Sequence, residues 1–173
     1  MCGIVGYSGR FEAAALRDGL DAIRHRGPDD CGVFLDEAAG IGLGHARLSI
    51  IDLSALGHQP MAALDDRVQL VFNGEIYNYR ELRRELEAKG HAFRGHSDTE
   101  VLLHLYLEEG ERFLTRLNGI FALAIFDQRI NALVVARDSL GVKPLYYSQT
   151  PKGFAFRSEE HTSELQSPCN LVC

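Results

Sequence analysis

The sequence predicts an α+β domain of layered sheets and helices, and three observations predict it. Helical and extended signals alternate from the N-terminus to about residue 156, several extended runs are apolar on both faces, and no linker, repeat or low-complexity tract interrupts them. A strand that is apolar on both faces needs cover on both sides of its sheet. With 173 residues, 46% of them hydrophobic and 24% charged, the chain has the material for one core of ordinary size.

Gly3-Ile4-Val5-Gly6-Tyr7 reads as a short apolar strand at the N-terminus. Over residues 11–23, Leu16, Leu20 and Ile23 fall at i, i+4 and i+7, so a helix with one apolar face is expected, stopped by Gly27-Pro28. Residues 31–35, 41–48 and 68–73 read as strands, the last with Val68, Leu70 and Phe72 alternating against Gln69 and Val71. Asn78 with Glu81 three residues on predicts a capped helix start, with Leu82 and Leu86 on its apolar face and Gly90 at its end. Ser97-Asp98-Thr99-Glu100 has capping-box spacing before Val101, Leu102, Leu103 and Leu105, so a further helix should run to about Glu109 and stop at Gly110. Residues 121–127 and 132–137 are β-rich and separated by Gln128-Arg129-Ile130-Asn131, which predicts a hairpin. Residues 158–173 lose both periodicities and contain Pro168 with Glu159, Glu160 and Glu164; they are expected to be a non-native or disordered tail, leaving a domain over residues 2–157.

Charge and apolar patterning exclude several classes of function. The net charge is −6 and no basic stripe is present, so a nucleic-acid partner has no electrostatic support. No stretch approaches the roughly 20 apolar residues that span a bilayer, and no signal-peptide pattern opens the chain, so no membrane association and a cytoplasmic location are expected. Cys2, Cys31, Cys169 and Cys173 lack Cys-x-x-Cys spacing, so disulfide and zinc readings are weak. Cys31 is expected to be a buried packing residue of its strand.

Cys2 is the residue with the most chemistry. Removal of Met1, favoured by a small second residue, would leave a thiol and a free α-amine on one terminal residue, a nucleophile with its own base. On that dipeptide alone, a small buried hydrophobe is the better reading. Four polar groups at element ends stand beside it: Arg24-His25-Arg26-Gly27-Pro28-Asp29, Arg47, Asn73-Gly74-Glu75 and Asp98. Singly, each reads as structural, with Asp98 a cap, Glu75 a solvated turn acid and Arg47 a surface ion pair. His45 reads as structural too.

Together with Met1-Cys2-Gly3-Ile4-Val5-Gly6, the segments His45-Ala46-Arg47-Leu48-Ser49-Ile50-Ile51-Asp52, Gln59-Pro60, Asn73-Gly74-Glu75-Ile76-Tyr77-Asn78, Ser97-Asp98-Thr99-Glu100, Gly119-Ile120-Phe121-Ala122-Leu123-Ala124-Ile125-Phe126-Asp127 and Arg137-Asp138-Ser139-Leu140-Gly141-Val142-Lys143-Pro144-Leu145-Tyr146-Tyr147 resemble the class II glutamine amidotransferase domain. The similarity is greatest to the glutaminase half of glutamine-hydrolysing asparagine synthetases. It implies the four-layer α/β/β/α sandwich of the N-terminal-nucleophile hydrolases, with two antiparallel sheets.

The resemblance also implies roles. Cys2 would attack the glutamine side-chain amide and form a thioester, with Asn73 and Gly74 holding the oxyanion. Arg47 would take the substrate α-carboxylate, Glu75 and Asp98 its α-ammonium, and Leu48, Ser49, Ile50 and Ile51 would line the pocket with Asn73 and Gly74. The turn holding Arg24 and Arg26 would order the site or stand as a salt-bridged structural turn. No cofactor or metal is implied for this step. ATP and magnesium belong to a C-terminal synthetase domain, the expected partner, which this chain lacks. L-glutamine is the expected substrate, and a homodimer is left open. The alternatives are the same glutaminase serving a sugar-phosphate, phosphoribosyl, surface-polymer or peptide acceptor, and an inactive folded fragment.

Overall fold

A computed structural model describes residues 2–49 and 54–159 of the chain. Two antiparallel sheets form its centre. The first contains β1 (Gly3–Gly9), β2 (Asp30–Asp36), β3 (Ile41–Arg47), β8 (Tyr146–Thr150) and β9 (Gly153–Arg157) in the order β2-β3-β1-β9-β8. The second contains β4 (Met61–Ala63), β5 (Val68–Ile76), β6 (Gly119–Asp127) and β7 (Ala132–Arg137) in sequence order. Helix α1 (Ala13–Ile23) follows β1, and α2 (Tyr79–Ala88) and α3 (Asp98–Glu109) lie between β5 and β6 in the chain.

The period of two along each strand sorts the side chains into three apolar layers. Val5 and Ala46 turn outward to meet Leu20 and Ile23 of α1. Ile4, Ile41, Leu43 and Phe156 turn inward and meet Val71, Ala122, Ala124 and Phe126 of the second sheet. Leu70, Phe72, Leu123 and Ile125 leave the far face of that sheet and pack on Leu82 and Leu86 of α2 and Leu102 and Leu105 of α3. The layers therefore run α1, first sheet, second sheet, α2 with α3. Each fully buried Leu, Ile or Phe contributes roughly 1.5–3 kcal/mol, which is why strands apolar on both faces need this double cover.

Most expected elements form where the patterning puts them, and the differences have physical reasons. The strand predicted over residues 68–73 continues to Ile76, because Asn73 to Ile76 pair with Ala122 to Gly119 of β6. Strands β4, β8 and β9 were not expected; each is short, and none is fully buried along its length. β9 nonetheless lies inside the first sheet, where the Phe156 ring covers Gly6 so closely that a Cβ there would sit 2.5 Å from it. The Ser97 cap forms, its Oγ accepting from the Glu100 amide at 3.2 Å. Asn78 is a correction: its side chain does not cap α2 but donates to the Arg116 carbonyl and accepts from the Asn118 amide, tying the helix start to the entry of β6. Cys31 is a second correction, being exposed rather than buried, because its position on edge strand β2 faces away from the core. Of the expected tail only Ser158 and Glu159 are described; residues 160–173 lie outside the described residues. No helix among the described residues is long and apolar enough to cross a membrane.

Candidate active site

The site is built on the free edge of β5. β4 is only three residues long and its pairing stops at Leu70, so the edge beyond has backbone groups without a neighbouring strand. Residues with even numbers turn their N–H and C=O groups to that edge. Phe72 accepts from Nε2 of His45 at 3.1 Å and donates to Oε1 of Gln59 at 2.7 Å, and Ile76 donates to Oδ2 of Asp98 at 3.1 Å. Gly74 lies between them with the same orientation. Its cross-strand partner Phe121 bonds with Asp138 on the β7 side, so the Gly74–Phe121 pair exchanges no ladder bonds and the Gly74 amide faces away from β6. Side chains thus satisfy the flanking peptides while the Gly74 N–H is directed to the cleft. A Cβ at Gly74 would come within 2.2 Å of the Ile120 carbonyl oxygen, so only glycine fits.

Cys2 approaches from the start of β1. The Leu48 amide donates to its Sγ at 3.4 Å and the thiol can donate to the Leu48 carbonyl at 3.5 Å, which holds the sulfur at the end of β3. Arg47 precedes that contact and is 92% buried by a shell of backbone: Nη1 donates to the Ser54 carbonyl at 3.1 Å, and Gly57 packs on the guanidinium so closely that a Cβ there would sit 2.1 Å from Nη2. It pairs with Asp30 at 4.0 Å, yet not at the surface as its sequence position suggested, because β3 carries it inward beneath the residues 54–57 turn.

The dense turn over residues 24–29 acts through backbone and one carboxylate rather than through its arginines. Gly27 packs on the Ala46–Arg47 peptide, the Asp29 amide donates to the Arg47 carbonyl at 3.1 Å, and Asp29 Oδ2 accepts from the Ser49 amide at 2.8 Å. Arg24 pairs with exposed Asp21 and Arg26 pairs with Glu159, and neither is part of the cleft lining.

Asp98 opens α3 across the cleft. Burial pushes its carboxyl up to about 6, against the opposing pull of the Ile76 amide and the first amides of the helix, and neighbouring Glu75 adds to the rise. Glu75 itself is exposed at the cleft rim, on the strand end beyond Gly74. His45 is fully buried, and burial pushes its imidazole down to about 4, so it is neutral at neutral pH with Nε2 as the donor to Phe72.

These groups converge on one cleft of about 260 Å³. Cys2, Arg47, Leu48, Asn73, Gly74, Glu75 and Asp98 all line it, brought from β1, β3, β5 and α3. Ser49 does not line it, its amide being held by Asp29, and Ile50 and Ile51 lie outside the described residues. Four polar lining residues had no site role from sequence: Gln59, Ser97, Thr99 and Lys143. Gln59 lies in a motif that gave it no role, although Nε2 reaches Thr99 Oγ1 at 3.4 Å and Oε1 holds Phe72. Lys143 is buried, which lowers its ammonium pKa while the Cys2 sulfur and Asp138 work against that shift. The cleft therefore carries a thiol, two cationic side chains and two carboxyl groups.

The family model described as glutamine amidotransferase domain matches residues 1–168. Asparagine synthetase [glutamine-hydrolyzing] 3 of Bacillus subtilis (strain 168) is 42% identical over 167 residues, covering 92% of this chain and 26% of that protein. Asparagine synthetase [glutamine-hydrolyzing] 1 of the same strain is 45% identical over 166 residues, with the same two shares. The putative asparagine synthetase [glutamine-hydrolyzing] 2 of Methanocaldococcus jannaschii is 40% identical, covering 92% of this chain and 34% of that protein. The chain thus spans 26–34% of the length of these relatives. Among solved structures, glutamine phosphoribosylpyrophosphate amidotransferase from B. subtilis, complexed with ADP and GMP, superposes with a TM-score of 0.77 at 25% identity, covering 91% of this chain and 42% of that one.

Proposed function

The chain belongs to the glutamine amidotransferase domain family, and from that premise we propose that it hydrolyses the side-chain amide of L-glutamine to glutamate and ammonia. The observation that carries the reading is the convergence of Cys2, Arg47, Asn73, Gly74, Glu75 and Asp98 on one cleft from separate elements. Such a cleft matches a zwitterion with an amide at the far end of its side chain: a buried guanidinium for the α-carboxylate, and Glu75 with Asp98 for the α-ammonium.

With Met1 removed, the Cys2 α-amine takes the thiol proton as Sγ attacks the amide carbonyl. The Asn73 Nδ2–H and Gly74 N–H hold the developing oxyanion, and Lys143 contributes positive charge on the sulfur side. The α-ammonium then gives its proton to the leaving nitrogen, ammonia departs, and a γ-glutamyl thioester remains on Cys2. Water, activated by the same amine, hydrolyses the thioester to glutamate and restores the thiol. ATP and magnesium take no part in these steps.

The ammonia would serve an acceptor bound outside this chain. The names of the relatives and the chain's 26% share of the first two support asparagine synthesis, with aspartate as the acceptor and a C-terminal synthetase portion as the partner. The test is glutamine-dependent ammonia release by the chain with Cys2 at its N-terminus. Cys2→Ala should abolish release and thioester formation with the fold intact. An electrophilic glutamine analogue should label Cys2 and spare exposed Cys31; labelling of Cys31 instead would refute the assignment. Chains that keep Met1 should be inactive, since the base is then a peptide nitrogen.

A further inference from the structure

We propose that Ser158 is a positioning residue that locks the oxyanion-hole donor Asn73 to the strand carrying Cys2; the proposal rests on the reading of Asn73 as that donor. Ser158 follows β9 and is 1% exposed. Its Oγ accepts from the Ile4 amide at 2.9 Å and from Asn73 Nδ2 at 3.1 Å, and its own amide donates to the Ile4 carbonyl at 2.9 Å. Ile4 lies two residues from Cys2 on β1 in the first sheet, and Asn73 lies on β5 in the second. One hydroxyl therefore joins the nucleophile's strand to the oxyanion donor across the interface between the sheets.

The hydrogen-bonding capacity of the two groups gives this bridge its consequence. A serine hydroxyl has two acceptor positions, and both are taken by N–H donors here. An asparagine amide has two N–H bonds on one nitrogen. Giving one to Ser158 anchors the amide through its nitrogen in this arrangement and leaves the second N–H for the substrate. Without Oγ, Asn73 can turn its carbonyl toward the developing negative charge, which raises the barrier without touching the groups that bind the α-carboxylate and α-ammonium. The Ile4 amide would also lose its partner where the β1–β9 ladder has ended at the Val5–Arg157 pair.

The experiment compares the full chain, with Met1 removed, with Ser158→Ala and with Ser158→Cys, which keeps the volume but offers a weak acceptor. Both variants should lose tenfold or more in kcat for glutamine hydrolysis with KM within about threefold of the parent, and the Asn73 side-chain amide resonances should shift in 15N-resolved NMR. In an Asn73→Ala background, Ser158→Ala should lower kcat by clearly less than in the parent, because the donor is gone and only the Ile4 amide contact is left to lose. Unchanged kcat in both single variants, or an equal loss in the two backgrounds, overturns the proposal. If the parent releases no ammonia, the glutaminase reading fails and the NMR comparison still decides: shifted Asn73 resonances uphold the bridge, and unshifted ones refute it.

Discussion

Asp98 meets two opposed demands, burial that favours its neutral form and a substrate ammonium that would favour the charged one. Its carboxyl is raised to about 6, so in the empty domain the folded state holds this proton more tightly than the unfolded chain does. Stability from this group is therefore greatest below about pH 4 and falls as pH rises through about 6, by up to roughly 3 kcal/mol. Glutamine binding has the opposite slope. KM should be flat in this respect above pH 6 and rise by as much as about tenfold per unit below it, and Asp98→Asn should remove both dependences while raising KM by the equivalent of roughly 1.5–3 kcal/mol. KM measured from pH 4.5 to 8 for both forms checks this; parallel profiles would refute the assignment. Arg47→Ala should raise KM further, because both bonds of a guanidinium fork are lost. Gly57→Ala tests the same point without removing the charge: the new methyl would sit 2.1 Å from Nη2 and displace the buried guanidinium, so KM should rise at least fivefold, with some loss in melting temperature.

At the scale of elements, β5 and α3 divide the labour of the site. β5 is longer than its neighbour β4, and the excess is the functional part. Its peptide groups beyond the reach of β4 are satisfied by Gln59, His45 and Asp98, with the Gly74 amide directed to the cleft. Gln59→Ala should cost about 1–3 kcal/mol in urea unfolding, since the buried Phe72 amide loses its acceptor, and should lower glutaminase activity by loosening the strand. Ser97→Ala should cost about 1 kcal/mol through the lost cap of α3. The second half of the capping box behaves differently from the pattern, because the Glu100 carboxylate accepts from the Arg94 and Gly95 amides and anchors the preceding loop instead.

Across the whole molecule, the sandwich brings the first and last described strands to the same place. β1 begins with Cys2 at its entrance, β9 lies beside it, and Ser158 extends their pairing by one more set of bonds to Ile4. A chain ending at Glu159 should keep the melting temperature and ammonia release of the parent, whereas one ending at Phe156 should lose tenfold or more in kcat and several degrees in melting temperature. Differential scanning calorimetry and ammonia release on the two truncations measure this directly. Equal behaviour of both would show that residues 157–159 carry no structural function.

By itself the sequence determined the alternation of helices and strands, the doubly apolar strands, the Ser97 start of α3 and the cluster of motifs that includes Cys2, Arg47, Asn73, Gly74 and Asp98. The elements are local or periodic properties, written in spacings of two, three and four residues, whereas the site motifs were legible only through their resemblance to a known family. What only the tertiary structure decided was non-local. Placing β9 beside β1 depends on contacts more than 140 residues apart in the chain, which no local pattern encodes. Asn78 carries a cap signature, yet the β6 entry offers its amide both a donor and an acceptor, so tertiary bonds replace the local one. The burial of Arg47, the support of Ser49 by Asp29 and the entry of Gln59, Thr99 and Lys143 into the cleft follow from packing between layers, where a side chain's role is set by neighbours that the sequence keeps far away.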